Sequence, residues 1–297
     1  MTKLKKVALL TTLTLSGILT ACGTSQDAQS NHETSATQPK KEDLVVQQIR
    51  NATVTVEYKG QKFLVDPMFS KKGEFDSFGP AARDDRNPIV DLPFSVDKIM
   101  DDVDAVIVTH THEDHFDQAA KEQLPKNIKL FMQDEKDANL ARKAGFTNIE
   151  VMKEDKATTF KGVKLTEVNG RHGYGKMAEA MGNVMGVVFQ HPKEKTLYIA
   201  GDTVWYSQVK KNIDTYKPEV LILNGGRNQF LEGGPLIMGK EDVYQVYKAA
   251  PKAKILVSHM EAVNHWGLSR KELKTFIKDK GITSNVLVPD DGETISY

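Results

Sequence analysis

The chain has 297 residues, with 40 basic side chains balanced by 40 acidic ones, 39% hydrophobic positions and one cysteine. Balanced charge offers no basic excess to draw the chain to a long polyanion, so no nucleic-acid partner is expected. One cysteine rules out an intrachain disulfide and any metal site built on several thiolates.

The chain opens on Lys3, Lys5 and Lys6, followed by an apolar, Thr-rich run from Val7 to Leu19 and then Leu19-Thr20-Ala21-Cys22. A positive segment, a short apolar core and small residues before a cleavage point make a secretory signal over 1–21. The run is shorter than the roughly 20 residues that a bilayer span needs. The placement of Cys22 resembles a bacterial lipobox, which implies lipid on Cys22, a membrane partner and an extracytoplasmic location. Removing the three lysines leaves 37 basic against 40 acidic side chains. From Cys22 to Asp43 the composition is polar, too poor in apolar surface to offset the entropy of ordering, and reads as a tether.

From Leu44 to Tyr297 there is chain enough for one large domain. β-Branched runs predict strands at Lys62–Val65, Val103–Thr109, Val163–Val168, Val184–Phe189, Thr196–Ala200, Val220–Leu223, Lys254–Ser258 and Val286–Val288. Helices are predicted at Asp134–Ala144, at Glu241–Ala250 and, with Ser269 and Glu272 as a capping box and Gly281 as a stop, at Ser269–Lys280. Strand–helix alternation predicts an α/β class. Between Met68 and Ser95, Gly, Pro, Asp and Arg break every pattern, so a long loop is expected, of the kind that shapes a binding site or carries no order.

The densest chemistry is Thr109-His110-Thr111-His112-Glu113-Asp114-His115-Phe116-Asp117, directly after an apolar strand. Residues two apart in an extended chain face one way, so His110 and His112 can meet one ion. A turn into helix near Asp117 lets Asp114 and His115 swing towards another. His172, Asp202 and His259 also follow apolar runs, and ligands gather beyond the carboxyl ends of the strands in open α/β sheets.

In order and strand context this set resembles the metallo-β-lactamase superfamily: H-x-H-x-D-H, a later His, Gly201-Asp202-Thr203 and a final His. The resemblance implies a four-layer αβ/βα sandwich. It assigns His110, His112 and His172 to a first ion, Asp114, His115 and His259 to a second, and Asp202 to a bridge. Asp66-Pro67-Met68-Phe69-Ser70, His115-Phe116-Asp117, Ala200-Gly201-Asp202-Thr203 and Val288-Pro289-Asp290-Asp291-Gly292-Glu293-Thr294 resemble the branch of L-ascorbate-6-phosphate lactonase and N-acylphosphatidylethanolamine-hydrolysing phospholipase D.

A dinuclear hydrolase is therefore expected, using hydroxide shared by two ions on a lactone or other ester, or on a phosphodiester, with a small molecule or a lipid as substrate. Zinc suits imidazole and carboxylate ligands, with manganese or iron compatible. Asp114 is expected to orient the attacking oxygen while holding the second ion. His265 is a candidate general acid or oxyanion donor, and Asp66 a partner fixing a ligand imidazole. Met177, Met181 and Met185 recur at four-residue spacing, which fits either packing or a lid. The alternatives are a non-catalytic metal- or solute-binding lipoprotein on the same fold and an atypical β-lactamase.

Overall fold

Side-chain alternation decides which layer each residue joins. In a computed structural model that describes residues 44–297, Ala105, Val106, Ile107 and Val108 are all buried, the odd pair towards one layer and the even pair towards another. A strand apolar on both faces must lie between two covers. The elements run β1 (Leu44–Arg50), β2 (Thr53–Tyr58), β3 (Gln61–Val65), α1 (Val96–Met100), β4 (Ala105–Val108), α2 (Gln118–Gln123), β5 (Lys129–Met132), α3 (Glu135–Lys143) and β6 (Ile149–Val151). They continue as β7 (Ala157–Phe160), β8 (Val163–Asn169), α4 (Lys176–Met181), β9 (Met185–Gln190), β10 (Leu197–Ile199), α5 (Ser207–Tyr216), β11 (Val220–Asn224), α6 (Lys240–Ala249), β12 (Lys254–Ser258), α7 (Arg270–Asp279), β13 (Val286–Leu287) and β14 (Thr294–Ser296).

Two seven-stranded mixed sheets result, ordered β14-β1-β2-β3-β4-β5-β6 and β13-β12-β11-β10-β9-β8-β7. Phe63, Val65, Ile107 and Phe131 from the first pack against Leu165, Val187, Phe189 and Ile222 from the second. On the outer face of the first, Leu64, Val106 and Leu130 meet Ile99 of α1, Ala120 of α2 and Ala138 of α3. On the outer face of the second, Leu221, Ile255 and Val257 meet Val209 of α5, Val243 of α6 and Leu273 of α7. This is the αβ/βα sandwich that the resemblance implies.

The expected strands are present, most of them trimmed or extended by a residue or two. Val103 and Asp104 fall outside β4, because Val103 closes a turn onto the Met100 carbonyl. Ser269 and Glu272 form the predicted capping box of α7. Met68–Ser95 carries no helix or named strand. Cys22, the signal segment and the tether lie outside the described residues. Among the described residues no helix is long and apolar enough to cross a membrane.

Candidate metal centre

The strands place the ligand candidates at one end of the sandwich. Asp66 follows β3 and the His110–His115 segment follows β4, both in the first sheet; His172 follows β8, Asp202 follows β10 and His259 follows β12, in the second. The turn into Asp202 needs glycine at position 201, since its φ is 66° and a Cβ there would sit 2.3 Å from the Met185 carbonyl oxygen.

Three groups of donor atoms converge: His110, His112 and His172; His110, His115 and Asp202; Asp114, His115 and His259. The first and third match the two expected ligand sets, and Asp202 sits with a histidine from each. His110 Nε2 faces His112 Nδ1 at 2.9 Å, and His115 Nε2 faces His259 Nε2 at 3.2 Å. Asp202 Oδ2 lies 3.2 Å from His115 Nε2 and 3.4 Å from His172 Nε2, and Asp114 Oδ2 lies 3.1 Å from His259 Nε2.

The surrounding hydrogen bonds decide which ring nitrogens carry lone pairs. His115 Nδ1 donates to Asp66 Oδ2 at 2.8 Å, and His172 Nδ1 donates to the Leu236 carbonyl at 3.0 Å. Thr109 Oγ1 donates to Asp66 Oδ2 and is left to accept from His110 Nδ1 at 3.1 Å. Each bond puts the proton on Nδ1 and leaves Nε2 as a lone pair aimed at other lone pairs. Buried lone pairs pointing at one another repel unless a cation lies among them, so five imidazoles and two carboxylates in this arrangement fit metal ions.

The electrostatics agree. Burial and the neighbouring imidazoles push His110 well below the ordinary histidine range. Burial opposes charge on Asp114 and Asp202, yet the histidines around them hold both carboxyls well below the usual range. Burial also opposes charge on His115, but Asp202, Asp66 and Asp114 raise it well above the histidine range, so that without a metal ion a proton on Nε2 takes the place of the cation among these carboxylates.

Asp66 does fix an imidazole. Its Oδ1 accepts from the Thr109 amide at 2.7 Å while its Oδ2 serves His115 and Thr109 Oγ1. Sequence reasoning missed Asn51, whose Nδ2 donates to the Asp114 carbonyl at 3.1 Å and whose own carbonyl accepts from the His259 amide at 2.9 Å. Asn224 donates to Asp202 Oδ1 at 2.7 Å and so reserves Oδ2 for the centre. Asn51 occupies a two-residue turn between strands and has a left-handed φ of 54°, so it reads in sequence as an ordinary turn asparagine.

A cavity of ≈ 190 Å³ opens on the cluster, lined by Glu113, Asp114, His112, His172, Asp202 and His265 on the polar side and by Phe78, Met181, Phe230 and Leu236 on the apolar side. His265 is buried, and burial pushes its imidazole down to about 4. Burial therefore favours its neutral form near pH 7. The oxyanion-donor half of its expectation is open to it, because Asn228 Nδ2 lies 3.3 Å from Nε2 and favours the proton on Nδ1. The three methionines do not form one stripe: α4 stops at Met181, which lines the cavity, Met177 packs against Gly173 and Gly233, and Met185 belongs to the core strand β9. Arg171 stacks between Tyr174 and Tyr206, outside the cavity lining.

Comparison with known proteins agrees with this geometry. A sequence model of the β-lactamase superfamily domain matches residues 61–260. UPF0173 protein YddR of Bacillus subtilis (strain 168) is 55% identical over 254 residues, 85% of this chain and 99% of that protein. The crystal structure of isothiocyanate hydrolase from Delia radicum gut bacteria is 44% identical, with a TM-score of 0.81, and covers 85% of this chain and 99% of its own. A possible metal-dependent hydrolase from Veillonella parvula DSM 2008 is 38% identical, with a TM-score of 0.83, over 86% of this chain and all of its own.

Proposed function

Because the chain belongs to the β-lactamase superfamily domain family and is a metal-dependent hydrolase of the metallo-β-lactamase fold, we propose that it adds water to a small, uncharged electrophilic carbon carrying an apolar substituent. The observation that carries this reading is the cavity: ≈ 190 Å³, with four apolar side chains facing the His/Asp cluster. Ligand pockets for larger molecules start near 300 Å³, so a long acyl chain or a phospholipid has little room. Among the described residues no lysine or arginine lines this cavity, while Lys136 lines a second one that shares His112 and Met181 with it.

Two divalent ions are held in this reading by His110, His112 and His172 on one side and by Asp114, His115 and His259 on the other, with Asp202 shared. Zinc is the first choice, and manganese or iron also fit the donors. When bound, such a pair supplies water activation near neutral pH and polarises the substrate. Asp114 orients the attacking oxygen, its own place set by Asn51. In this reading His265, which lines the cavity, turns its buried Nδ1–H to the substrate heteroatom on which negative charge develops. Phe78, Phe230, Met181 and Leu236 take the apolar group and exclude bulk water.

An isothiocyanate meets these requirements, and a 44% identical protein is an isothiocyanate hydrolase. Water adds across the carbon–nitrogen double bond: oxygen bonds to carbon and a proton goes to nitrogen. Breaking the bond between that carbon and nitrogen, with the hydroxyl proton of the adduct passing to nitrogen, then frees an amine and carbonyl sulfide. A small lactone is the second reading, favoured by the likeness of Asp66-Pro67-Met68-Phe69-Ser70 and the Val288–Thr294 ending to the lactonase branch.

The test is metal content and turnover on the chain starting after Cys22, beside a His110→Ala/Asp202→Ala double variant. About two equivalents of metal, with amine release from allyl or benzyl isothiocyanate and both lost in the variant, are expected. Tight metal without turnover on isothiocyanates, lactones or nitrocefin replaces the enzyme with a binding lipoprotein; turnover of nitrocefin alone replaces it with a β-lactamase. Anchoring outside the cytoplasmic membrane through lipid on Cys22 is part of the proposal and rests on the N-terminal residues. Cys22→Ala should move the protein from the membrane to the soluble fraction.

A further inference from the structure

Three loops meet over the cavity and are tied to one another. Asn264 is fully buried and spends its whole side chain on the long loop after β3. Its Oδ1 accepts from the Phe78 amide and from Asn87 Nδ2, both at 2.9 Å, and its Nδ2 donates to the Phe78 carbonyl at 2.8 Å and to the Arg83 carbonyl at 2.7 Å. Its backbone amide donates to Asn87 Oδ1 at 2.7 Å. Next along the chain, the Trp266 ring lies under the Arg83 guanidinium at 4.0 Å.

The third loop joins through backbone bonds: the Gln229 amide donates to the His265 carbonyl at 2.9 Å and the Leu231 amide to the Pro80 carbonyl at 3.0 Å. Between these ties stands a stack of rings. Phe78 meets His265 edge-on at 5.2 Å, and Phe230 lies along its other side at 5.5 Å. All three rings line the cavity.

We propose that Phe78 sets the largest substituent the site accepts, and that Asn264 is the positioning residue that holds Phe78 in place. The physical reason is that the roof is bonded into shape before any ligand arrives. A loop of this length would ordinarily be free to part around a bulky group; five hydrogen bonds to one buried residue, four of them to its side chain, prevent that, and a pre-formed wall discriminates by size. The Pro80 carbonyl, which accepts from the Leu231 amide, carries the same constraint to the loop of Phe230, so the two phenyl rings act as one wall. The proposal rests on the reading of the cavity as the substrate site.

The test compares a small and a bulky member of one series on wild type, Phe78→Ala, Asn264→Ala and the double variant. With isothiocyanates the readout is kcat/KM for the allyl against the 2-phenylethyl compound. A binding readout runs beside it: cobalt-loaded protein titrated with ethanethiol and with 2-phenylethanethiol, followed by the thiolate–cobalt absorption. Phe78→Ala should shift both ratios towards the bulky member by roughly 10-fold or more, the range that one pocket contact commands. Asn264→Ala should shift them the same way, and the double variant should add little, because both changes remove one wall. If Asn264→Ala does not fold, Asn87→Ala loosens the same latch from the loop side.

Ratios unchanged in Phe78→Ala overturn the proposal, and so does a cobalt site that neither thiol reaches. A shift additive in the double variant overturns the role of Asn264. If no isothiocyanate is turned over while the thiol ratios move as stated, the substrate reading fails and the wall stands.

Discussion

Replacing Asp66 by asparagine keeps the shape of the side chain and changes one atom's chemistry. The carboxylate now receives three hydrogen bonds: the Thr109 amide at 2.7 Å on Oδ1, and Thr109 Oγ1 and His115 Nδ1, both at 2.8 Å, on Oδ2. In Asp66→Asn the amide oxygen must stay with the Thr109 amide, because that proton has no alternative. The new NH2 group then faces His115 Nδ1. The Thr109 hydroxyl can turn and accept, but the imidazole can answer only by moving its proton to Nε2, the atom that lies 3.2 Å from both Asp202 Oδ2 and His259 Nε2. A proton there occupies the direction a metal ion needs.

Restoring the competent tautomer forfeits a hydrogen bond and leaves two donors opposed, about 1.5–3 kcal/mol for a bond of this type. The expected result is roughly 10–100-fold weaker metal binding, measured by titrating metal-free protein with cobalt against a competing chelator. Proton–nitrogen NMR of the histidine rings should show the His115 proton moving from Nδ1 to Nε2. Affinity within about twofold of wild type, at a tolerance well inside that estimate, with Nδ1 still protonated, would refute the reasoning.

Glu167 has a buried Oε2 without a partner, and burial, helped by Glu154 and Asp134, pushes its carboxyl up to about 7. The folded chain therefore holds a proton that the unfolded chain releases at lower pH, so stability falls as pH rises towards 7 and is level above it. Glu167→Gln should remove that slope and gain roughly 2 kcal/mol at pH 8, discounted for screening, read by denaturant melts at pH 5 and pH 8; an unchanged difference between the two pH values counts against the burial argument. His265, held down to about 4 by burial, stays neutral through the physiological range. Its own contribution to stability is complete above about pH 6.5 and is lost as pH falls towards 4, and turnover should show no histidine limb from it between pH 6 and 8. His265→Ala should lower kcat on the order of 100-fold with metal content unchanged; turnover at the wild-type rate would remove His265 from the chemistry. Phe63 stands between the sheets, 5.1 Å from Phe189 and 5.9 Å from Phe160. Phe63→Ala should cost about 3–5 kcal/mol of folding stability without altering the metal-to-protein ratio of what folds.

The residues of the centre were legible because each follows an apolar strand, where chain direction alone says which end it reaches. Two-residue alternation does the rest for His110 and His112. The asparagines were not legible. Asn51, Asn224, Asn228 and Asn264 look like turn residues, and their partners lie far off in sequence: Asn264 is 177 residues from Asn87, and Asn51 is 208 from His259. Only the pairing of two sheets brings them together. The methionine spacing does not mark one helical face, since Gly182 has a φ of 80° and ends α4 after Met181, so Met185 starts a strand instead of a further turn. Strands β1, β2, β5 and β7 were not among those expected either, and the shortest, β6 and β14, carry in three residues too little pattern to read.

The pairing of β14 with β1 has a consequence for solubility. Residues 294–296 cover the outer side of β1, with Val45 opposite Ser296, Val46 opposite Ile295 and Gln47 opposite Thr294, and the Gln48 amide and carbonyl are taken by Glu293 and Gly292. Without that cover, Leu44-Val45-Val46-Gln47-Gln48-Ile49 offers an uncharged, β-prone ladder of free amides and carbonyls, the kind of template on which a second chain can add. A frayed or clipped C-terminus should reveal itself first as self-association, while the centre at the strand ends is still intact.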